Sequence, residues 1–226
     1  TGAVRARRNA GGTNTDLGLF VENDWTVGSL VLTAGARLDR WTIRDGFFEE
    51  RDGGGVSTVS RAYSDRAGWD ASFRGGALFQ VSDAIALRAA AYSGLRLPTL
   101  NELYRPFVVF PVVTEANAAL ENERLEGGEA GVDLTPTDGI VVSFTAFDNR
   151  VKNAIANVTL GTNLRQRRNI DAIHARGIEL SASATLGRFD AIASAAWTDA
   201  EAQGSGFAAA LDGNRPSQTP RFVGET

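Results

Sequence analysis

Residues Trp69 to Gln80 read Trp-Asp-Ala-Ser-Phe-Arg-Gly-Gly-Ala-Leu-Phe-Gln, and their period decides the fold. The odd positions Trp69, Ala71, Phe73, Gly75, Ala77 and Phe79 form one set; Asp70, Ser72, Arg74 and Gln80 oppose it. A period of two belongs to a strand with unlike faces, whereas a helix repeats every 3.6 residues. The pattern recurs on either side. Before it, Leu17, Leu19, Val21 and Trp25 alternate with Asp16, Glu22 and Asp24, and Leu30 to Leu38 with Thr33, Arg37 and Asp39. After it, Ile85, Leu87, Ala89, Ala91 and Leu95 oppose Arg88 and Tyr92, with Ser93 the one polar interruption. Ala130, Val132 and Leu134 oppose Glu129 and Asp133, and Ile140 to Ala146 oppose Ser143 and Thr145. Ile178 to Leu186 alternate with Glu179, Ser181 and Ser183, and Phe189 to Trp197 with Asp190, Ser194 and Thr198. A ninth strand begins near Pro220. No charge interrupts the apolar face of the eight complete sets, and several run for nine or more residues.

Two architectures share this alternation. In a large soluble all-β protein one face packs a core and the other meets water. In a transmembrane barrel one face meets lipid, and strands of about 9–11 residues suffice to cross. The connections favour the barrel. Short links at Thr26–Ser29, Val81–Ala84, Thr135–Gly139 and Gly187-Arg188 alternate strictly with long polar ones at Arg44–Arg66, Pro98–Asn122, Asn153–Arg167 and Glu201–Ser217. Outer-membrane barrels have short periplasmic turns and long extracellular loops. Trp69 and Trp197 lie toward the long loops, Trp25 and Phe79 toward the short turns, as two interfacial girdles would. The expected fold is therefore all-β: an antiparallel up-and-down meander of about nine strands, an open piece of a transmembrane barrel. Trp41 breaks the register of its strand and requires a bulge, a lumenal position or a place above the membrane.

Composition removes several function classes. A net charge of −4 and a pI near 5.1 do not suit a nucleic-acid binder. Cysteine is absent, which excludes disulfides and thiolate metal sites. The single histidine, His174, reads as a solvated strand residue near the long-loop end, and no Ser, His and Asp arrangement suggests catalysis. Neither an enzyme nor a resident cofactor or metal is expected. No apolar run approaches the roughly 20 residues of a spanning helix. Thr1 to Thr15, with Gly11-Gly12, reads as a polar loop and not as a signal peptide. Methionine is absent even at position 1, so the sequence is expected to be a segment of a longer product.

Leu95-Arg96-Leu97-Pro98, followed by Thr99-Leu100-Asn101-Glu102-Leu103, resembles the Phe-Arg-Ala-Pro-like box that ends an upgoing strand in TonB-dependent receptors. Asn117-Ala118-Ala119-Leu120-Glu121-Asn122-Glu123, then Glu129-Ala130-Gly131, is similar to the Asn-Pro-x-Leu-x-Pro-Glu pattern that opens the family's next strand, lacking two of its prolines. Phe144–Asn149, Ile155–Asn157, Arg168–Asp171, Ala175–Glu179 and Gln218–Pro220 continue the resemblance in family order, which spans Phe20 to Phe222.

The resemblance implies that residues 1–226 are a fragment of one receptor barrel domain in the outer membrane of a Gram-negative bacterium. It implies outer-membrane lipid around the barrel, a plug domain outside this segment, coupling to TonB through that plug, and import of a scarce small-molecule cargo. Siderophore, cobalamin, oligosaccharide and metal-chelate receptors share this barrel. Haem-importing members carry a histidine between the two boxes; none occurs between Leu95 and Leu120. A passive porin or a barrel anchor is the alternative, with Arg37, Arg74, Arg88, Glu129, Asp133 and Glu179 as lumen charges. Under the receptor reading, Arg37, Arg74, Glu129, Asp133 and Glu179 face the plug. Tyr104, Arg105, Phe107, Phe110, Arg88 and Tyr92 are then the candidate cargo contacts. Gly94 and Gly131 leave room on the inner wall, for a body packed against it or for a bend in the strand.

Overall fold

Four two-residue turns, at Gly28-Ser29, Asp83-Ala84, Asp138-Gly139 and Gly187-Arg188, fold the alternating segments into hairpins. Gly28, Gly139 and Gly187 have positive φ there, a conformation that costs glycine nothing. The computed structural model describes residues 5–225. Its strands are β1 (Ala6–Val27), β2 (Leu30–Asp52), β3 (Ser57–Ala62), β4 (Arg66–Ser82), β5 (Ile85–Arg96), β6 (Phe107–Val109) and β7 (Val112–Glu115). They continue with β8 (Glu123–Thr137), β9 (Ile140–Lys152), β10 (Ile155–Gly161), β11 (Leu164–Asn169), β12 (Ala172–Leu186), β13 (Phe189–Gln203) and β14 (Phe222–Glu225). One short helix, α1 (Leu100–Tyr104), and one 3₁₀ turn (Gly206–Leu211) complete the inventory.

The main sheet runs β1-β2-β4-β5-β8-β9-β12-β13-β14, every pair antiparallel, with β3 added to the far end of β2. This is the expected nine-strand meander, ending at β1 on one side and β14 on the other. The strands overrun the expected lengths. β1 begins at Ala6, so most of Thr1–Thr15 is strand and not loop, residues 1–4 lying outside the described residues. β2 continues to Asp52 and takes up much of the Arg44–Arg66 connection.

Register carries one apolar row across all nine strands: Trp25, Leu32, Ala77, Ala89, Ala130, Ala146, Ile178, Trp197 and Phe222 are successive partners. The neighbouring row on the other face reads Arg88, Gly131, Thr145, Glu179 and Ala196. The faces are thus unlike throughout, although Phe20, Val31, Leu78 and Phe147 share the polar one. The apolar face is bare: Leu19 is 77% exposed, Phe73 61% and Trp69 63%. A patch nine strands wide far exceeds the few hundred Å² typical of a soluble monomer.

The apolar belt also has a slope. On β12 the outward series ends at Ile178, with Arg176 next; on β2 it ends at Leu38, with Arg40 next. Leu38 lies six residues beyond Leu32, the row-mate of Ile178, and five strand steps separate β2 from β12. The short turns drop in parallel: Leu180 shares a row with Leu30 at its turn, and β12 runs six residues further, to Leu186. Six residues over five strands corresponds to a strand tilt of about 40° for a rise near 3.3 Å and a spacing near 4.8 Å. Transmembrane barrels tilt by about 35–45°. Eight residue steps from Leu30 to Leu38 at that tilt give a belt about 20 Å tall between outermost Cα atoms.

The buried core lies beyond this belt, at the long-loop end. One cluster joins Trp41, Ile43, Leu103, Tyr104 and Leu120; a second joins Ala154, Val158, Ile170, Ala202 and Ala208. The long connections are therefore folded. β7 pairs in parallel with β11, and a second sheet, β10-β11-β7-β6, weaves the Pro98–Asn122 and Asn153–Arg167 segments together.

Candidate functional site

Charges on the polar wall are mostly paired with one another. Arg88 reaches Asp133 at 3.3 Å and Glu129 at 3.8 Å and donates to Thr145 Oγ1. It lies flat across Gly131, whose absent Cβ would stand 2.9 Å from the guanidinium carbon. The space at Gly131 is therefore filled within the wall itself. Gly94 meets only ordinary contacts, with Leu125. Tyr92 lies across Gly127 and its hydroxyl donates to Asn149 Oδ1 at 3.0 Å. Arg37 pairs with Asp39 and Arg74 with Glu22, while Glu179 is exposed and makes no ion pair among the described residues. Arg88, Glu129, Asp133, Thr145 and Glu179 border one open recess of about 630 Å³.

Trp41 faces this polar side, 8% exposed, at the mouth above the belt. Its ring lies over Gly68 and its Nε1 donates to Asp70 at 2.8 Å. Asp70, itself buried, also accepts from Asn122 at 3.2 Å and from Arg124. β4 and β5 stop pairing above Arg74 and Tyr92, and Ser93 bridges to the freed amide of Phe73 at 2.8 Å. Asp70 thus ties β2 and β4 to the start of β8 where the wall parts. His174 lies on the other face, 2.9 Å from Asp148. Among the described residues no cluster of three His, Asp or Glu side chains suits a metal ion.

The two sequence boxes meet at the foot of the loop body. Arg96 pairs with Glu102 at 3.0 Å and with Glu123, and Glu123 accepts the amide of Ile155 at 2.6 Å. Thr99 and Glu102 form a capping box on α1. Burial works to raise the Glu102 carboxyl, but the bonds from Arg96 and Thr99 outweigh it and hold it below the usual carboxylate range. Asn117 Nδ2 donates to the Arg167 carbonyl at 3.0 Å, and Asn169 exchanges bonds with the Glu121 backbone.

The candidate cargo contacts separate into three groups. Tyr104 is 1% exposed, stacked on Tyr63 with centroids 4.7 Å apart, and burial raises its phenol. It is a core residue and offers cargo no surface. Arg88 and Tyr92 sit in the wall. Arg105, Phe107 and Phe110 stand at the exposed β6–β7 hairpin, Phe110 at 92% exposure. The sequence reading missed Arg167, which stacks 4.9 Å from the Phe107 centroid and donates to the carbonyls of Asn101 and Arg105. Burial lowers the Arg167 guanidinium from its ordinary value. It also missed Asp70 and Glu123. The Thr99-x-x-Glu102 spacing was a readable sign of α1.

Solved structures share this fold. The FrpB iron transporter from Neisseria meningitidis superposes with a TM-score of 0.58 at 20% identity over 86% of this chain and 27% of its own. The ferric yersiniabactin uptake receptor FyuA from Yersinia pestis gives 0.72 at 13% identity over 97% and 32%. The Serratia marcescens hemophore receptor HasR, solved with its hemophore HasA and heme, gives 0.70 at 19% identity over 83% and 34%. The chain thus spans about a quarter to a third of the length of these proteins. No curated protein matches its sequence. The family model of the TonB dependent receptor-like β-barrel matches residues 1–225, the whole described wall and its loop body. By that match the chain belongs to the TonB-dependent receptor β-barrel family.

Proposed function

We propose that this chain is a sector of the barrel wall of an outer-membrane receptor that imports a scarce small molecule, energised through TonB. The observation that carries the reading is the apolar belt: of equal height on β2 and β12, tilted by about 40° and followed on each of these strands by an arginine. Its outward face meets the lipid of a Gram-negative outer membrane. Residues 1–226 form one stretch of a single barrel domain. Arg37, Arg74, Arg88, Glu129, Asp133, Glu179 and Tyr92 then line the lumen and face a plug supplied by the rest of the protein. Arg105, Phe107 and Phe110 meet the cargo from outside. A siderophore, cobalamin or a similar chelate suits an exposed pair of aromatic rings beside cations, and the region between the boxes has no histidine for haem.

Growth on the limiting nutrient, compared in isogenic strains with and without TonB, tests the proposal. Growth is expected only with TonB. Equal growth in both strains, with an open conductance in planar bilayers, would identify a passive porin.

A further inference from the structure

We propose that the outward surface above the belt on β1, β2 and β4 binds the phosphate of an outer-leaflet lipid through Arg40 and Arg44. The inference rests on the reading that the apolar face meets lipid. Where that face ends on β8–β13, charge begins at once, and it is neutralised in place. Asp148, Arg176 and Asp199 form the first row; Glu126, Arg150, His174 and Glu201 form the next. Lys152 pairs with Glu126 at 2.6 Å, His174 lies 2.9 Å from Asp148, and Arg176 pairs with Asp199 at 3.5 Å. Arg150 is held by Gln203 at 2.9 Å and Arg124 by Asp70. On this outward edge Arg124, Lys152 and Arg176 are ion-paired, and Arg150, which is not, has the carboxylate of Glu126 as its strand partner.

The β1–β4 sector differs. At the same height on the sloping belt, Arg40 has Leu17 and Trp69 as row-mates. Thr42 has Thr15 and Ala67, and Arg44 has Thr13. No strand partner in these three rows is a carboxylate; Asp65, which precedes Arg66 beside Arg44, makes no ion pair with it among the described residues. Asp39 belongs to the other face, paired with Arg37, and Asp65 accepts the amide of Asp45 at 3.1 Å. Among the described residues neither Arg40 nor Arg44 makes an ion pair. Arg40 uses Nη1 alone, on the carbonyls of Trp41 and Gly68 at 2.9 and 3.1 Å, and its guanidinium carbon stands 5.6 Å from the Trp69 ring centre. Its Nε and Nη2 are left for an anion outside the wall. Arg44 is exposed and stands about 10 Å higher along the membrane normal, four residues on at the same tilt. Two uncompensated cations and an interfacial tryptophan match an anionic headgroup seated over an acyl chain.

The test uses the full-length receptor. Lipid A retained through detergent extraction is counted by native mass spectrometry, and the thermal midpoint is compared in phosphatidylcholine nanodiscs with and without lipid A. Wild type is expected to retain lipid A and to unfold at a higher temperature when it is present. R40Q/R44Q should bind lipid A about thirtyfold more weakly, as two interfacial cations imply, and lose the lipid-dependent shift. R40K/R44K should keep both, as should the control R150Q/R176Q. Retention and shift unchanged in R40Q/R44Q would overturn the site while leaving the barrel reading intact. A wild-type receptor that fails to appear in the outer-membrane fraction would overturn the barrel reading itself, and the site with it.

Discussion

Trp41 shows how a single side chain can hold a wall together where its backbone ladder gives out. Its indole covers Gly68 and locks onto Asp70, so the glycine is needed for the close approach. A methyl group on Gly68 would stand 2.5 Å from Cζ2 of a ring that cannot swing away without releasing Asp70. Gly68→Ala is therefore expected to destabilise the mouth by about 1–3 kcal/mol, lowering the thermal midpoint and shifting tryptophan emission. Gly161→Ala, in open space, should change neither. Glu102 supplies a pH dependence. Its carboxyl is held below the ordinary value, so its contribution is complete above about pH 4.3 and is lost as pH falls through its lower folded value. Rate-corrected amide exchange in Leu100–Tyr104 should rise on acidification, and Glu102→Gln, which keeps the cap but cannot ionise, should remove that pH dependence. Unchanged protection at acid pH would remove the carboxylate from the clamp. At this scale the sequence announced Trp41 as an anomaly, yet its partner Asp70 was just one more polar residue of its strand. Which polar residue becomes buried depends on where β5 leaves β4, and no local pattern encodes that.

Among the elements, the eight alternating segments and four short turns were legible because each is fixed by its own period and its own turn residues. The loop body was not. Leu164–Asn169 reads Leu-Arg-Gln-Arg-Arg-Asn, with no strand period, and becomes β11 only because β10 and β7 pair with it. The parallel β7–β11 contact joins segments some fifty residues apart, which is invisible in either alone. One consequence changes what a deletion does. Leu103–Val113 is more than a loop tip, because Leu103 and Tyr104 are core and Val113 pairs with Leu164. That deletion should unfold both long loops, detected as new protease cleavage in Asn153–Arg167. Removing only Val108–Pro111 takes the exposed tip and should leave loops and assembly intact while reducing cargo binding. Equal protease resistance of the two deletions would show that the loops fold independently.

For the whole molecule, the sheet's two faces and the belt's slope are properties of register, and register joins local alternation to a membrane of fixed thickness. A soluble sandwich would cover the apolar face with a second sheet, whereas here the second sheet is built from the long loops and the face stays bare. The alternation alone suited both architectures. The central claim is that this bare face meets lipid and the charged face an aqueous lumen. Residues 1–226 contain no cysteine, so in a receptor with any cysteines elsewhere replaced, single spin labels can be placed by substitution at Phe73, Phe144 and Leu180 on one face and at Arg74, Glu129 and Glu179 on the other. Collision of these labels with oxygen and with a water-soluble nickel chelate, in the full-length receptor in bilayers, is the direct measurement. Oxygen-dominated relaxation is expected at Phe73, Phe144 and Leu180, and chelate-dominated relaxation or burial at the other three; chelate access at the first three positions, or no difference between the sets, would show that the bare face does not meet lipid.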